Sequence, residues 1–246
     1  MRVALFGGTF DPVHLGHLAV ARAAAEKFGL STVYFAPADI PPHKQKRQLT
    51  DFQHRYAMLA LATADDRRFV PSLIDAPRGA PNYSVETVRR LKRTLKKSDK
   101  LYFLIGMDAF KEIATWHKPE ELLQECEFIV ASRPGFSLAD VGGALPEKVR
   151  PSGAALKAMR NQRVNGAIAL PGAAIHLLPD VHERISSTQI RAAASRSVAQ
   201  LSRYVPRPVA EYIKKERLYT AHAAREPKDT APSKVLSFHR GRQRHF

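Results

Sequence analysis

A doubly wound parallel β-sheet with helices on both faces is the α/β fold that three features of this 246-residue chain predict. Its candidate strands are short, continuous apolar runs rather than alternating ones, as strands buried on both faces are. Those runs take turns with segments of helical period along most of the chain. The first run also meets two glycines and then a helix, the strand, turn and helix that begin such a sheet.

In chain order, residues 3–6 form the first strand, ending on Gly7-Gly8, and a helix starts at Gly16 and runs to about Phe28. A second strand at 33–36 leads into a proline-rich loop over 37–48. The helix expected over 51–64 has Asp51 as its N-cap. Residues 69–74 read as a strand, 84–96 as an amphipathic helix and 101–105 as a buried strand closed by Gly106. Helices over 108–115 and 119–125 and a strand over 127–131 continue the alternation. From Pro134 to Gly172 the period loosens, with only a short helix at 154–163, so 135–172 stands as an insertion in a domain spanning 1–219. The last strand is 175–178. A small C-terminal helical segment follows at 186–195, 198–203 and 208–216, the last with proline in its first turn. Residues 220–246 lack an apolar period and read as a disordered basic tail.

Composition narrows the function classes without choosing one. With 44% apolar residues the chain can bury one sizeable core. No stretch approaches the roughly 18 apolar residues that cross a bilayer, and MRVALFGG does not read as a leader, so the expected compartment is the cytoplasm. The single cysteine, Cys126, lies in the apolar run CEFIVA and reads as an inert core thiol. The formal charge is +16, of which residues 221–246 carry +4, so the body is itself basic. A basic surface suits two polyanionic nucleotides as well as RNA, and charge alone does not separate them. No RNA-binding motif accompanies it, which makes a nucleic-acid partner the weaker reading. A homo-oligomer is left open.

Chemistry is concentrated in Gly7-Gly8-Thr9-Phe10-Asp11-Pro12-Val13-His14-Leu15-Gly16-His17, the turn between the first strand and the first helix. Glycines there let the backbone approach phosphates, and the free amides of the following helix attract anions. His14 and His17, three apart, share one face of the first turn and can donate to phosphate oxygens. Taken singly, such glycines merely make a turn and such histidines are surface residues; together in one turn they point to a site. Zinc is a poorer reading, since two histidines still need further ligands and Asp11 is badly placed to be one.

The segment GGTFDPVHLGH resembles the nucleotidyltransferase signature with its HxGH core. Three further segments resemble the bacterial nicotinate-nucleotide adenylyltransferases: Pro41-Pro42-His43-Lys44; Ile105-Gly106-Met107-Asp108 with Trp116-His117; and Ile185-Ser186-Ser187-Thr188-Gln189-Ile190-Arg191. They occur in the family's order from residue 7 to 191. Relatives of the same fold that use phosphopantetheine or glycerol phosphate share HxGH but not PPHK with the Trp-His pair.

The resemblance implies a Rossmann-like enzyme that joins ATP and nicotinate mononucleotide into nicotinate adenine dinucleotide, a precursor of NAD, and releases pyrophosphate. It implies that His14 and His17 are catalytic and contact ATP phosphates, with Gly8, Thr9, Phe10 and Gly16 around the nucleotide. Gly106 and Asp108 would meet the ribose, Asp108 also serving as an N-cap. Ser186, Ser187 and Thr188 would open a second phosphate cradle with Arg191 beside it, although Ser186 alone reads as a cap and Arg191 as a solvated side chain. Arg133 is a further nucleotide contact or a surface residue. The acceptor nucleotide would meet His43, Lys44, Tyr83, Ser84, Trp116 and His117; Ser84 stands where the family usually has threonine, and Trp116 either stacks on the pyridine or belongs to the core. Magnesium is expected to arrive with ATP, because no carboxylate cluster suggests a protein cage for a metal.

Overall fold

The computed structural model describes residues 1–40, 49–77, 79–132, 135–160, 166–171, 173–179, 181 and 185–220. Seven strands form one sheet: β1 (Arg2–Gly8), β2 (Thr32–Pro37), β3 (Phe69–Pro71), β4 (Lys100–Gly106), β5 (Glu127–Ala131), β6 (Ala167–Leu170) and β7 (Ala173–Leu178). Their spatial order is β3-β2-β1-β4-β5-β7-β6, parallel throughout except for β6, which runs antiparallel to β7.

Alternate residues of each central strand feed opposite cores, which is why the strands read as unbroken apolar runs. Ala4, Phe6, Tyr102, Leu104 and Ile129 face one core, shared with α1 (Leu15–Phe28), α2 (Phe52–Thr63) and the C-terminal helices. Val3, Leu5, Leu101, Phe103, Ile105, Phe128 and Val130 face the other, shared with α3 (Ser84–Lys92) and with α5 (Pro119–Glu125). Helices α4 (Met107–Phe110) and α6 (Leu138–Gly143) also lie on that second face. Gly29 at φ 61° ends α1 in the left-handed conformation that glycine adopts without a Cβ penalty. Because β2 lies to one side of β1 and β4 to the other, the order reverses between β1 and β4. A crevice opens there at the carboxyl ends of the strands.

The looser region from 135 to 172 holds elements that periodicity did not reveal. In α6, Ser137 and Asp140 form a capping box, with the Ser137 amide donating to Asp140 Oδ2 at 2.7 Å. Gly142 lies inside this helix, where a Cβ would come within 2.7 Å of Leu156 on α7 (Gly153–Arg160). Only Ile168 of β6 is buried, so that edge strand shows little pattern. Elsewhere the expected 108–115 helix is α4 followed by a 3-10 turn at Ile113–Thr115, and the strand at 69 ends on Pro71.

Helices α8 (Ser187–Ala192), α9 (Val198–Leu201) and α10 (Arg207–Lys215) pack on the first core, α10 through Val209, Ala210 and Ile213. Just beyond α10, Tyr219 reaches back to the loop after β1, its hydroxyl donating to Asp11 Oδ1 at 2.8 Å. Burial and the Asp11 carboxylate hold that phenol well above its ordinary pKa, so it stays a donor. Ending the chain after Thr220 is therefore expected to preserve folding and turnover. Ending it after Leu218 removes the partner of a buried carboxylate and is expected to cost about 1–3 kcal/mol; thermal melting and turnover of the two truncations check this.

Candidate active site

Two cavities meet at the crevice, and Gly7, next to last in β1, and Gly106, the end of β4, line both. The first, about 240 Å³, is walled by Gly8, Thr9, Tyr83, Ser84, Trp116 and His117. The second, about 290 Å³, is walled by His14, Gly16, His17, Asp108, Ser132 and Phe136. A Cβ built on Gly106 would touch nothing within 4 Å, so a side chain there would project into open space between the two.

The loop from Gly8 to Pro12 divides the cavities and is held on several sides. Phe10 sits at φ 46°, a conformation unfavourable for an aromatic residue. Its buried ring packs edge-on against Phe6 and His17, which offsets that strain. Gly8 permits this, since a Cβ there would come within 3.1 Å of the Phe10 ring. Thus Phe10 fills the base of the loop, while Gly8 and Thr9 face the first cavity rather than the second.

Arg55 fixes the same loop from below. It is 1% exposed and donates from Nη1 to the carbonyls of Thr9 at 2.9 Å and Ala38 at 2.7 Å, and from Nε to that of Thr50 at 2.7 Å. Desolvation lowers its pKa, and the surrounding Asp11, Asp39 and Asp51 charges oppose that shift. Sequence reasoning passed over Arg55, yet a hint was present: it shares the buried face of α2 with Phe52, Met58 and Leu59, an unusual place for an arginine.

The two histidines of the signature stack with ring centroids 3.6 Å apart at 25°. The His14 amide donates to His17 Nδ1 at 3.2 Å, which leaves the proton of a neutral His17 ring on Nε2. Burial pulls the His14 pKa down to about 4, so its imidazole is neutral at neutral pH. His14 Nδ1 and the Ser132 hydroxyl, 2% exposed at the end of β5, are buried without a hydrogen-bond partner among the described residues, and both residues line the second cavity. Ser132 was missed in the sequence; its only signal was its place just after a buried strand.

The Ser186–Arg191 motif lines neither cavity directly but is fastened to the dividing loop. Ser187 Oγ donates to the Pro12 carbonyl at 3.0 Å, and Arg191 Nη1 donates to the Asp11 carbonyl at 2.6 Å. Arg191 Nη2 also donates to Thr188 Oγ1 at 2.9 Å, and Ser186 caps α8 by accepting from the Gln189 amide. Ser186 thus acts as the cap of α8, while Arg191, which alone reads as a solvated side chain, joins Ser187 in tying α8 to the signature loop.

In the first cavity the Tyr83 and His117 rings stack at 4.1 Å and 28°. Trp116 is half-buried, edge-on to Phe103 at 6.2 Å, and lines the cavity while packing on the second core. The residues His43, Lys44 and Arg133 lie outside the described residues. Among the described residues no group of three histidine, cysteine or carboxylate side chains could hold a metal, and no helix is long and apolar enough to cross a membrane.

Comparison with known proteins identifies the family. A family model described as cytidylyltransferase-like matches residues 5–193. A protein of Geobacter metallireducens named "Probable nicotinate-nucleotide adenylyltransferase" is 36% identical over 225 residues, covering 89% of this chain and 99% of its own. One of Pseudomonas aeruginosa with the same name is 37% identical, covering 89% and 98%. The solved structure of Plasmodium falciparum nicotinic acid mononucleotide adenylyltransferase complexed with NaAD superposes with a TM-score of 0.63 at 16% identity. It covers 89% of this chain and 97% of that one, a likeness of fold. The chain thus belongs to the cytidylyltransferase-like family, among its nicotinate-nucleotide adenylyltransferases.

Proposed function

We propose that this enzyme transfers AMP from ATP to nicotinate mononucleotide, with ATP in the second cavity, the acceptor in the first and the reacting phosphates meeting beside Gly7 and Gly106. The observation that carries this reading is the pairing of two separate cavities, one lined by the histidine pair and one by an aromatic group, at a junction lined by two glycines. A phosphate oxygen of nicotinate mononucleotide attacks the α-phosphorus of ATP. The new P–O bond forms as the bond to the bridging oxygen breaks, and pyrophosphate leaves with that electron pair. Aligning two anions and stabilising the added charge supply the catalysis, so no protein nucleophile or covalent intermediate is required.

In this reading His17 donates from Nε2 to an oxygen of the ATP phosphates. His14 serves the same phosphates, and an anion against its ring would raise its lowered pKa. Asp108 accepts from a ribose hydroxyl. Ser186, Ser187, Thr188 and Arg191, which line neither cavity, would serve ATP phosphates that extend beyond the second cavity toward α8, with Arg133 completing the nucleotide site. Magnesium would arrive with ATP, where it would neutralise phosphate charge.

The acceptor's pyridine stacks on Trp116, its carboxylate meets amides near Ser84 and His117, and Tyr83, His43 and Lys44 complete its site. On this assignment Trp116→Ala raises the KM for nicotinate mononucleotide far more than that for ATP, without unfolding the protein. Equal loss of both substrates together with early melting would make Trp116 a core residue only.

A further inference from the structure

We infer that Asn82 is a positioning residue for the acceptor nucleotide, acting through the backbone at the exit of β2 rather than by touching the substrate. The inference rests on the assignment of the first cavity to the acceptor. Asn82 immediately precedes Tyr83 and Ser84 in the wall of that cavity. Its Oδ1 accepts from the amides of both Asp39 and Ile40, each at 2.9 Å. Its own amide donates to the Ile40 carbonyl at 3.1 Å, and its Nδ2 donates to the Asp75 carbonyl at 3.4 Å. One side chain therefore joins three stretches of chain that sequence order keeps apart: 39–40, 75 and 82–84.

Each of these stretches is fixed on its far side. The Ala38 carbonyl accepts from the buried Arg55, and the Ala38 amide donates to the Gly8 carbonyl at 2.9 Å. Asp75 accepts from Thr87 Oγ1 at 2.7 Å and pairs with Arg90 at 2.6 Å. Thr87 in turn donates to the Tyr83 carbonyl at 3.2 Å. Asn82 is the link between this α3 frame and the Arg55 frame under the signature loop. Without its side chain only the bond from the residue-82 amide to the Ile40 carbonyl remains of this tie, and the bonds to the Asp39 and Ile40 amides and to the Asp75 carbonyl are lost. A small displacement there misplaces the acceptor while leaving the second cavity alone.

One side-chain oxygen accepts from two backbone amides, so the substitution has a chemical signature. Asn82→Ala removes Oδ1, whereas Asn82→Asp keeps an oxygen that can take both amides but adds negative charge beside an anionic substrate. Asn82→Ala is expected to raise the KM for nicotinate mononucleotide at least tenfold, with the KM for ATP and kcat within threefold of the parent. Asn82→Asp should fall between the two. An Asp variant weaker than Ala would mean that Asn82 meets the anionic acceptor directly, and an unchanged acceptor KM in Asn82→Ala would remove any role; either result overturns the inference.

Amide hydrogen exchange at Asp39 and Ile40 gives a readout independent of turnover. It should be at least tenfold faster in Asn82→Ala, and an unchanged rate would likewise contradict the tie. If the parent chain releases no pyrophosphate with nicotinate mononucleotide, the functional assignment fails by itself. The Asn82 test then proceeds with whichever nucleotide acceptor is used, alongside the exchange rates.

Discussion

His17→Ala is expected to lower turnover by about 10²- to 10³-fold while leaving the fold intact, the effect of losing one positioned donor to developing charge. His17 lines the second cavity with its Nδ1 accepting from the His14 amide, so the backbone orients the ring at the wall where the phosphates are proposed to lie. Substitution removes that donor, one side of the 3.6 Å stack and the edge contacts of the ring with Phe6 and Phe10, while leaving the other residues of both cores in place. Steady-state kinetics with both substrates saturating, alongside thermal melting, separate chemistry from stability. Turnover within threefold of the parent would remove His17 from the mechanism.

Arg55→Met should produce the largest loss of stability, about 3 kcal/mol or more. The buried guanidinium satisfies three half-buried carbonyls on three segments, and methionine satisfies none of them. Relief of the desolvation that lowers the Arg55 pKa offsets part of this loss. Losing three carbonyl partners at once outweighs it, because a polar group left unsatisfied costs about 1–3 kcal/mol when fully buried and less where water reaches it. For a chain of this size such a change lowers the melting temperature by roughly 10 °C. Urea denaturation of the two proteins measures the difference. A loss under about 1 kcal/mol would show that water or neighbouring groups replace the guanidinium and that the loop does not depend on it.

The parallel sheet was readable because its buried strands carry apolar residues toward two cores at once, and the signature turn was readable because its residue types are rare in combination. Edge strand β6 was not, since one buried residue in four leaves no period. Helix α6 was hidden by Gly142, whose lack of a side chain reflects the approach of Leu156 rather than a turn. At the site, His14, His17, Asp108, Tyr83, Ser84, Trp116 and His117 fall on two adjoining cavities, and each was nameable from a local motif. Arg55, Asn82 and Tyr219 were not singled out as contributors, because their part is played through contacts 17 to 208 residues away in sequence, which no local spacing encodes. The long reach of Ser187 and Arg191 to the Asp11-Pro12 carbonyls is legible only in three dimensions for the same reason.

The central claim is that the two cavities hold ATP and a nicotinate nucleotide at one reacting junction. Pyrophosphate release from ATP and magnesium, measured against nicotinate mononucleotide, its amidated counterpart, phosphopantetheine and glycerol phosphate, tests it most directly. The account predicts rapid release with nicotinate mononucleotide, with nicotinate adenine dinucleotide formed in equal amount and little release with phosphopantetheine or glycerol phosphate. Release that is faster with either of those two acceptors, or absent with nicotinate mononucleotide, would contradict it.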